Sequence, residues 1–236
     1  MILATYSTQP GGERKPGVVK NGRVYALPYT NMQAVIEAGA ETAAQNISST
    51  PIHIAHVQFH APLQPVSLRD GYAFEQHVKT ANANRGRDVP PEWYKFPVFY
   101  FSNAGNIFGP NDEIPCPSYT SELDYELEIA AVIGRGGRDV PAEAAVRHIF
   151  GFTVFNDWSA RDVQRDEMIV GLGPAKGKDF ASSLGPYLVT IDELAERATM
   201  RPGIFDMPMI ARVNGSELSR GNMKDMYWSF GDIIAR

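Results

Sequence analysis

The chain has 236 residues, 44% of them hydrophobic and 21% charged, with a formal net charge of −5. This is an ordinary globular composition, long enough for one large domain or a large domain with a small one, and without a run of like charges that would point to nucleic acid or an anionic membrane as partner. The longest apolar stretches fall far short of a membrane span, no basic region followed by a long apolar core opens the chain, and the single cysteine, Cys116, excludes an internal disulfide framework and fits a reducing, cytoplasmic compartment.

Residues 1–60 read as a small leading subdomain. In GVVKNGRVYAL, Asn21-Gly22 between two β-rich runs is a strong hairpin signal, NMQAVIEAG (31–39) reads as a short helix closed by Gly39, and IHIAHVQFHAPL (52–63) reads as a strand. From about residue 61 the texture changes to many strands separated by Pro and Gly. The candidates are FPVFYFSN (96–103), LDYELEIAAVIG (123–134), IFGFTVFNDWS (149–159), SLGPYLVT (183–190) and MIARVNGSEL (209–218), the last with a second Asn-Gly turn. Helices are few: AEAAVRHI (142–149) follows a proline suited to a first turn, and Thr190 with Glu193 forms a capping box ahead of DELAERA. SFGDIIAR (229–236) reads as an opening helix with Ser229 as N-cap, from which we expect sequence beyond Arg236. The expected fold class is therefore β-rich α+β, without the regular strand–helix alternation of a doubly wound sheet.

Four segments carry candidate chemistry. On a strand, Glu126 and Glu128 of YELEI share one face while Tyr125, Leu127 and Ile129 share the other. Two neighbouring carboxylates fit either a wet face or a hard divalent cation, which takes several carboxylate oxygens. In GFTVFNDWSARDVQ (151–164) an apolar strand ends at Asn156-Asp157; Asp157 reads alone as a turn former, but Trp158, Arg161, Asp162 and Gln164 crowd into the following turn, as at a site on a rigid scaffold. In SLRDGYAFEQHVKTANANRG (67–86), Asp70 and His77 would, if the segment is helical, share one face two turns apart, with Tyr72 between and Arg85 beyond; His77 alone reads first as a hydrogen-bonded surface or core histidine. GLGPAKGKDFASSLGP (171–186) offers backbone N–H groups with Lys176 and Lys178 but lacks the P-loop order. His53, His56 and His60 do not share a strand face and lack a nearby cysteine, so structural zinc is not expected there; Cys116 and the GERK segment (12–15) read as structural and solvated, respectively.

Taken in order, ELDYELEIAAVIG, HIFGFTVFNDWSARDVQ and GPAKGKDFASSLGPYLVT resemble the fumarylacetoacetate hydrolase family, and SLRDGYAFEQH resembles the segment that precedes them in its hydrolase branch. The likeness covers roughly residues 57–234. It implies a mixed β-sandwich roll over residues 61–236, a homodimer, and a bound divalent cation, magnesium first, with calcium or manganese as alternatives. The implied metal ligands are Asp70, Glu126, Glu128 and Asp157. His77 resembles the general base that activates water; Arg85, Gln164 and Lys178 resemble groups holding carboxylate or enolate oxygens; Tyr72 and Tyr100 resemble substrate contacts. The implied activity is hydrolysis of a carbon–carbon bond in a 1,3-diketo acid of fumarylacetoacetate or acylpyruvate type, in aromatic or tyrosine catabolism. Decarboxylation, isomerisation or hydration of an oxo-acid on the same platform, or an inactive truncated homologue, are the alternatives. Two departures stand out: Met168 occupies a position where the family often has tyrosine, and the Gly/Thr-rich segment that follows the SFGDII helix in the family lies beyond this sequence.

Overall fold

A computed structural model describes residues 1–236. In chain order the elements are β1 (Ile2–Ser7), β2 (Lys15–Lys20), β3 (Arg23–Ala26), α1 (Met32–Ala38), α2 (Ala40–Ala44), β4 (Pro51–His53), β5 (Gln58–His60), β6 (Leu68–Gly71), α3 (Glu75–Ala83), β7 (Phe99–Ser102), β8 (Ile107–Phe108), β9 (Leu123–Asp124), β10 (Glu128–Ile133), α4 (Ala142–Ala145), β11 (Ile149–Asp157), β12 (Ser159–Ala160), α5 (Arg161–Val170), β13 (Ser182–Leu184), β14 (Leu188–Thr190), β15 (Pro208–Val213), β16 (Ser216–Asn222) and α6 (Phe230–Ala235). The fold is mixed α+β and β-rich, as the residue pattern predicts. No helix is long and apolar enough to cross a membrane.

Two compact units emerge. The first comprises residues 1–68, 102–135 and 149–193; the second comprises 69–101, 136–148 and 194–236. The first unit holds a ten-stranded sheet with the order β4-β3-β2-β1-β14-β11-β13-β8, to which β10 adds against β11 and β5 against β1. Strand β1 pairs with β14 (Ile2 opposite Val189), so the first sixty residues share hydrogen bonds with strands far along the chain. Its core packs Leu3, Val18, Leu27, Met32, Val35, Ile36 and Leu188. Both Asn-Gly signals form hairpin turns, with Asn21 and Asn214 at φ +50° and +51°, the left-handed conformation that asparagine tolerates best after glycine. Asn31 caps α1 by accepting the Ala34 N–H.

The second unit contains the β6–β7 pair, helices α3, α4 and α6, and the β15–β16 hairpin. Trp93 is buried there; its indole N–H donates to the Tyr72 carbonyl at 2.8 Å, and the Trp228 indole donates to the Trp93 carbonyl at 2.9 Å. These bonds fix the loop that enters α3. Ser229 caps α6 in a capping box with Asp232.

Several local expectations are corrected. The segment 67–86 is not one helix: Asp70 lies on β6 and His77 on α3. The strand expected over 52–63 is split by a 3-10 turn at Ile54–His56. The helix expected over 142–149 is α-helical only to Ala145. The capping box at Thr190 is diverted, because the Thr190 hydroxyl bonds to the Met1 carbonyl and Glu193 pairs with the Met1 amino group at 3.1 Å.

Candidate active site

The 123–134 segment is not one continuous strand. β9 pairs with β12 and β10 pairs with β11, and residues 125–127 between them are outside both ladders. The two ladders share one register: Asp124 lies opposite Ser159 and Glu128 opposite Phe155. Glu126 therefore falls opposite Asp157 across the opening. The Asn156 side chain accepts the Glu126 backbone N–H at 2.8 Å, replacing the missing ladder bond. Period two puts Glu126, Glu128, Phe155 and Asp157 on one face of the pair.

That face is the buried one. Phe155 is 3% exposed and the Asp157 side chain 0%, whereas Val154, on the opposite face, is 60% exposed. The wet-face reading of the two glutamates is thus excluded: the Glu126 side chain is only 16% exposed. Isolated carboxylates at this depth would carry a large desolvation cost, so they need partners.

Lys178 and Arg161 supply part of the compensation. The Lys178 ammonium, 4% exposed, lies 2.7 Å from Glu126 and 3.1 Å from Asp157. Arg161, the first residue of α5, donates from Nε to Asp124 at 2.8 Å and from one terminal nitrogen to Glu126 at 2.8 Å and to Gln164 at 3.0 Å. Burial alone would raise the Glu126 carboxyl; the Lys178 and Arg161 charges, together with side-chain hydrogen bonding to Glu128 and Lys178, outweigh it and hold Glu126 well below the usual carboxylate range. The Trp158 indole donates to Ser183 Oγ at 2.8 Å and locks the turn after Asp157.

Within this network four acids (Asp124, Glu126, Glu128, Asp157) meet two bases (Arg161, Lys178). Carboxylate oxygens of Glu126 and Asp157 lie within 4.8 Å of one another. The donors are hard oxygens, buried at Asp157 and largely shielded at Glu126, and they exceed the cationic side chains in number, which fits a divalent cation such as magnesium, calcium or manganese and not a soft metal.

In the second unit, the Tyr100 hydroxyl donates to Asp70 Oδ2 at 2.9 Å. Tyr72 and His77 meet edge to face, ring centroids 5.3 Å apart. His77 is exposed on the first turn of α3, and Arg85 is exposed just past its end.

The sequence-predicted residues thus fall into two groups: Glu126, Glu128, Asp157, Gln164 and Lys178 in the first unit, Asp70, Tyr72, His77, Arg85 and Tyr100 in the second. From the sequence, Arg161 stands out only as one of several groups in the turn after Asp157, Asn156 only as a strand end, and neither they nor Asp124 receive a role in the site. Arg161 sits four residues after Asp157, just past β12 in the same motif, and that proximity was the available signal. The three histidines have protein partners: His60 is buried with Nε2 at 2.9 Å from Ser7 Oγ, burial and the charge of Arg14 push it below its ordinary value, His53 accepts the Ala55 N–H, and the rings of His53 and His56 meet edge to face.

Comparison with known proteins agrees with this geometry. The family model described as fumarylacetoacetate (FAA) hydrolase C-terminal matches residues 67–236. The chain is 27% identical to a 2,4-didehydro-3-deoxy-L-rhamnonate hydrolase of a Sphingomonas species over 95% of this chain and 74% of that one. It is 35% identical to the mitochondrial oxaloacetate tautomerase FAHD2A of Homo sapiens over 73% of this chain and 52% of that one. The chain spans about half the length of most of the curated relatives it matches. Among solved structures, a fumarylacetoacetate hydrolase from psychrophilic Exiguobacterium antarcticum superposes with a TM-score of 0.75 at 26% identity, covering 100% of this chain and 80% of that one. The chain belongs to the fumarylacetoacetate hydrolase family.

Proposed function

We propose that this chain is a metal-dependent hydrolase that cleaves a carbon–carbon bond in a 1,3-diketo acid of fumarylacetoacetate or acylpyruvate type. The observation that carries the reading is the acid cluster of half-buried Glu126 and Glu128 with buried Asp157, and Lys178 and Arg161 set against it. Glu126, Glu128, Asp157 and Asp70 would hold a divalent cation, with magnesium preferred. When bound, such an ion acts as a Lewis acid on a chelated dioxo group and stabilises negative charge on its oxygens.

The side chains then divide the remaining work. Glu126 stays ionised at neutral pH because Lys178 and Arg161 outweigh its burial. His77 takes a proton from water, and the resulting hydroxide adds to the carbonyl carbon. The bond to the neighbouring carbon breaks, its electron pair remains on the departing enolate carbon, and that carbon takes a proton from the protonated His77 or from water. Lys178, Gln164 and Arg85 bind the carboxylate and enolate oxygens, stabilising charge where it develops. Tyr72 braces His77 by ring contact, and Tyr100 and Tyr72 contact the substrate. The same reading includes a cytoplasmic homodimer acting on a small oxo-acid in aromatic or tyrosine catabolism, without nucleic-acid or membrane partners.

A second reading is tautomerisation, isomerisation or decarboxylation of an oxo-acid on the same carboxylate cluster, favoured by 35% identity to the human oxaloacetate tautomerase. Decarboxylation needs no activated water and so no base like His77, whereas tautomerisation and isomerisation still need a base that moves a proton at carbon. The test is loss of diketone absorbance from fumarylacetoacetate and from acylpyruvates in magnesium, with Glu126→Gln and His77→Ala alongside. Hydrolysis predicts that both variants lose turnover. Turnover that survives His77→Ala but not Glu126→Gln favours decarboxylation, and full turnover in Glu126→Gln refutes both readings.

A further inference from the structure

We propose that Glu167 is a positioning residue for Lys178, gathering the backbone N–H groups of the segment that presents its ammonium to Glu126 and Asp157. The assignment rests on the reading of Lys178, Glu126 and Asp157 as the reacting centre. Glu167 lies in the last turns of α5, six residues after Arg161. Its carboxylate accepts three successive backbone N–H groups: Ala175 at 2.9 Å, Lys176 at 2.6 Å and Gly177 at 3.1 Å. Successive N–H groups converging on an anion form a nest, and here the anion is a side chain of the neighbouring helix.

The turn that follows is built on this clamp. The Lys178 and Asp179 N–H groups both donate to the Ala175 carbonyl, at 3.0 and 2.9 Å. The Ala160 N–H donates to the Gly177 carbonyl at 2.8 Å, so the segment is also pinned to the start of α5. A Cβ added at Gly177 would come within 2.8 Å of the Gln164 backbone nitrogen, which shows how closely the segment lies on the helix. Tyr119 holds it from another side, its hydroxyl donating to the Lys176 carbonyl at 3.2 Å.

A lysine side chain is long and rotatable, and holding it in one place costs rotamer entropy. Fixing its root shortens the search for a position from which the ammonium meets both acids. Only a carboxylate suits the nest: an amide offers one acceptor oxygen, and its NH2 would confront donors. Burial would push the Glu167 carboxyl up, and the N–H groups of Ala175, Gly177 and Lys176 outweigh it, so the group is ionised when it binds them.

The test compares wild type with Glu167→Ala and with Glu167→Gln, which keeps the side-chain volume and so the fold. Two readouts need no turnover: amide hydrogen exchange at residues 175–177, and acylation of Lys178 by acetic anhydride, located by mass spectrometry. Hydrogen bonds to a charged acceptor are strong enough that their loss should speed both by about tenfold in Glu167→Ala, and less in Glu167→Gln. The exposed Lys15 and Lys79 serve as controls whose labelling stays constant. Where diketone turnover is present, kcat falls about tenfold while KM changes by less than about twofold, because Lys178 acts on charge that develops in the transition state. Lys178 labelling at the wild-type rate in folded Glu167→Gln and Glu167→Ala would overturn the proposal. Faster Lys178 labelling in a protein that turns over no diketone would sustain the positioning role and defeat the hydrolase reading. Unchanged labelling beside normal wild-type turnover would do the reverse.

Discussion

Replacing Lys178 by methionine separates the electrostatic account of this cluster from a packing account. Methionine keeps most of the aliphatic volume and removes the ammonium. Two contacts disappear, at 2.7 Å to Glu126 and 3.1 Å to Asp157, with the lysine only 4% exposed. At an effective dielectric near 20, each such pair is worth roughly 5 kcal/mol of attraction, and the desolvation cost of the ammonium, several kcal/mol, is recovered on its removal. What remains is the carboxylate cluster with Arg161 and without the Lys178 charge, and breaking a buried pair from one side costs about 3–5 kcal/mol. For a chain of this length that corresponds to a melting temperature lower by roughly 6–20 °C in the presence of a chelator. The deficit should shrink on acidification, because protonating the stranded carboxylates relieves it. Urea unfolding of the two proteins in chelator, near neutral pH and at mildly acidic pH, measures both features. A deficit below about 1 kcal/mol near neutral pH, or one that grows as pH falls, would refute the electrostatic reasoning.

Two further outcomes follow from named contacts. Asp162 is held at about 2, against 3.8 ordinarily, by the Thr120 hydroxyl and the Ser121 N–H. Its folded-state value is depressed, so its stabilisation is complete above about 4 and is lost as pH falls toward about 2. The gap in melting temperature between wild type and Asp162→Asn should therefore be constant near neutral pH and close in that acid window; a gap that widens there contradicts the assignment. Leu188, fully buried on β14 in the first-unit core, should lose about 2–5 kcal/mol on replacement by alanine, read by urea unfolding; a loss under about 1 kcal/mol would mean the core is misplaced.

Local chemistry was legible where the deciding contacts are local. The Asn21-Gly22 and Asn214-Gly215 turns, the Asn31 cap and the Ser229 capping box all depend on residues a few positions apart. The E-x-E and NDWSARD segments were legible as chemistry through their density of acids and bases. Which face of the E-x-E strand is buried was not legible. Alternation defines two faces, but the choice between them is made by Phe155 and Asp157 on another strand, through a register that only the folded ladder sets. Nor does pattern show that Asn156 replaces a ladder bond at Glu126, or that Met1 competes for Thr190 and Glu193. Both depend on partners distant in the chain. Glu167 escaped for a related reason: its partners are backbone N–H groups, which have no letter in a sequence.

The most direct measurement of the central claim is a calorimetric titration of Mn2+ into chelator-stripped protein, for wild type, Glu126→Gln and Asp157→Asn. The account predicts saturable binding to wild type and a loss of affinity of at least about tenfold in each variant. No binding to wild type, or equal affinity in all three proteins, would contradict it.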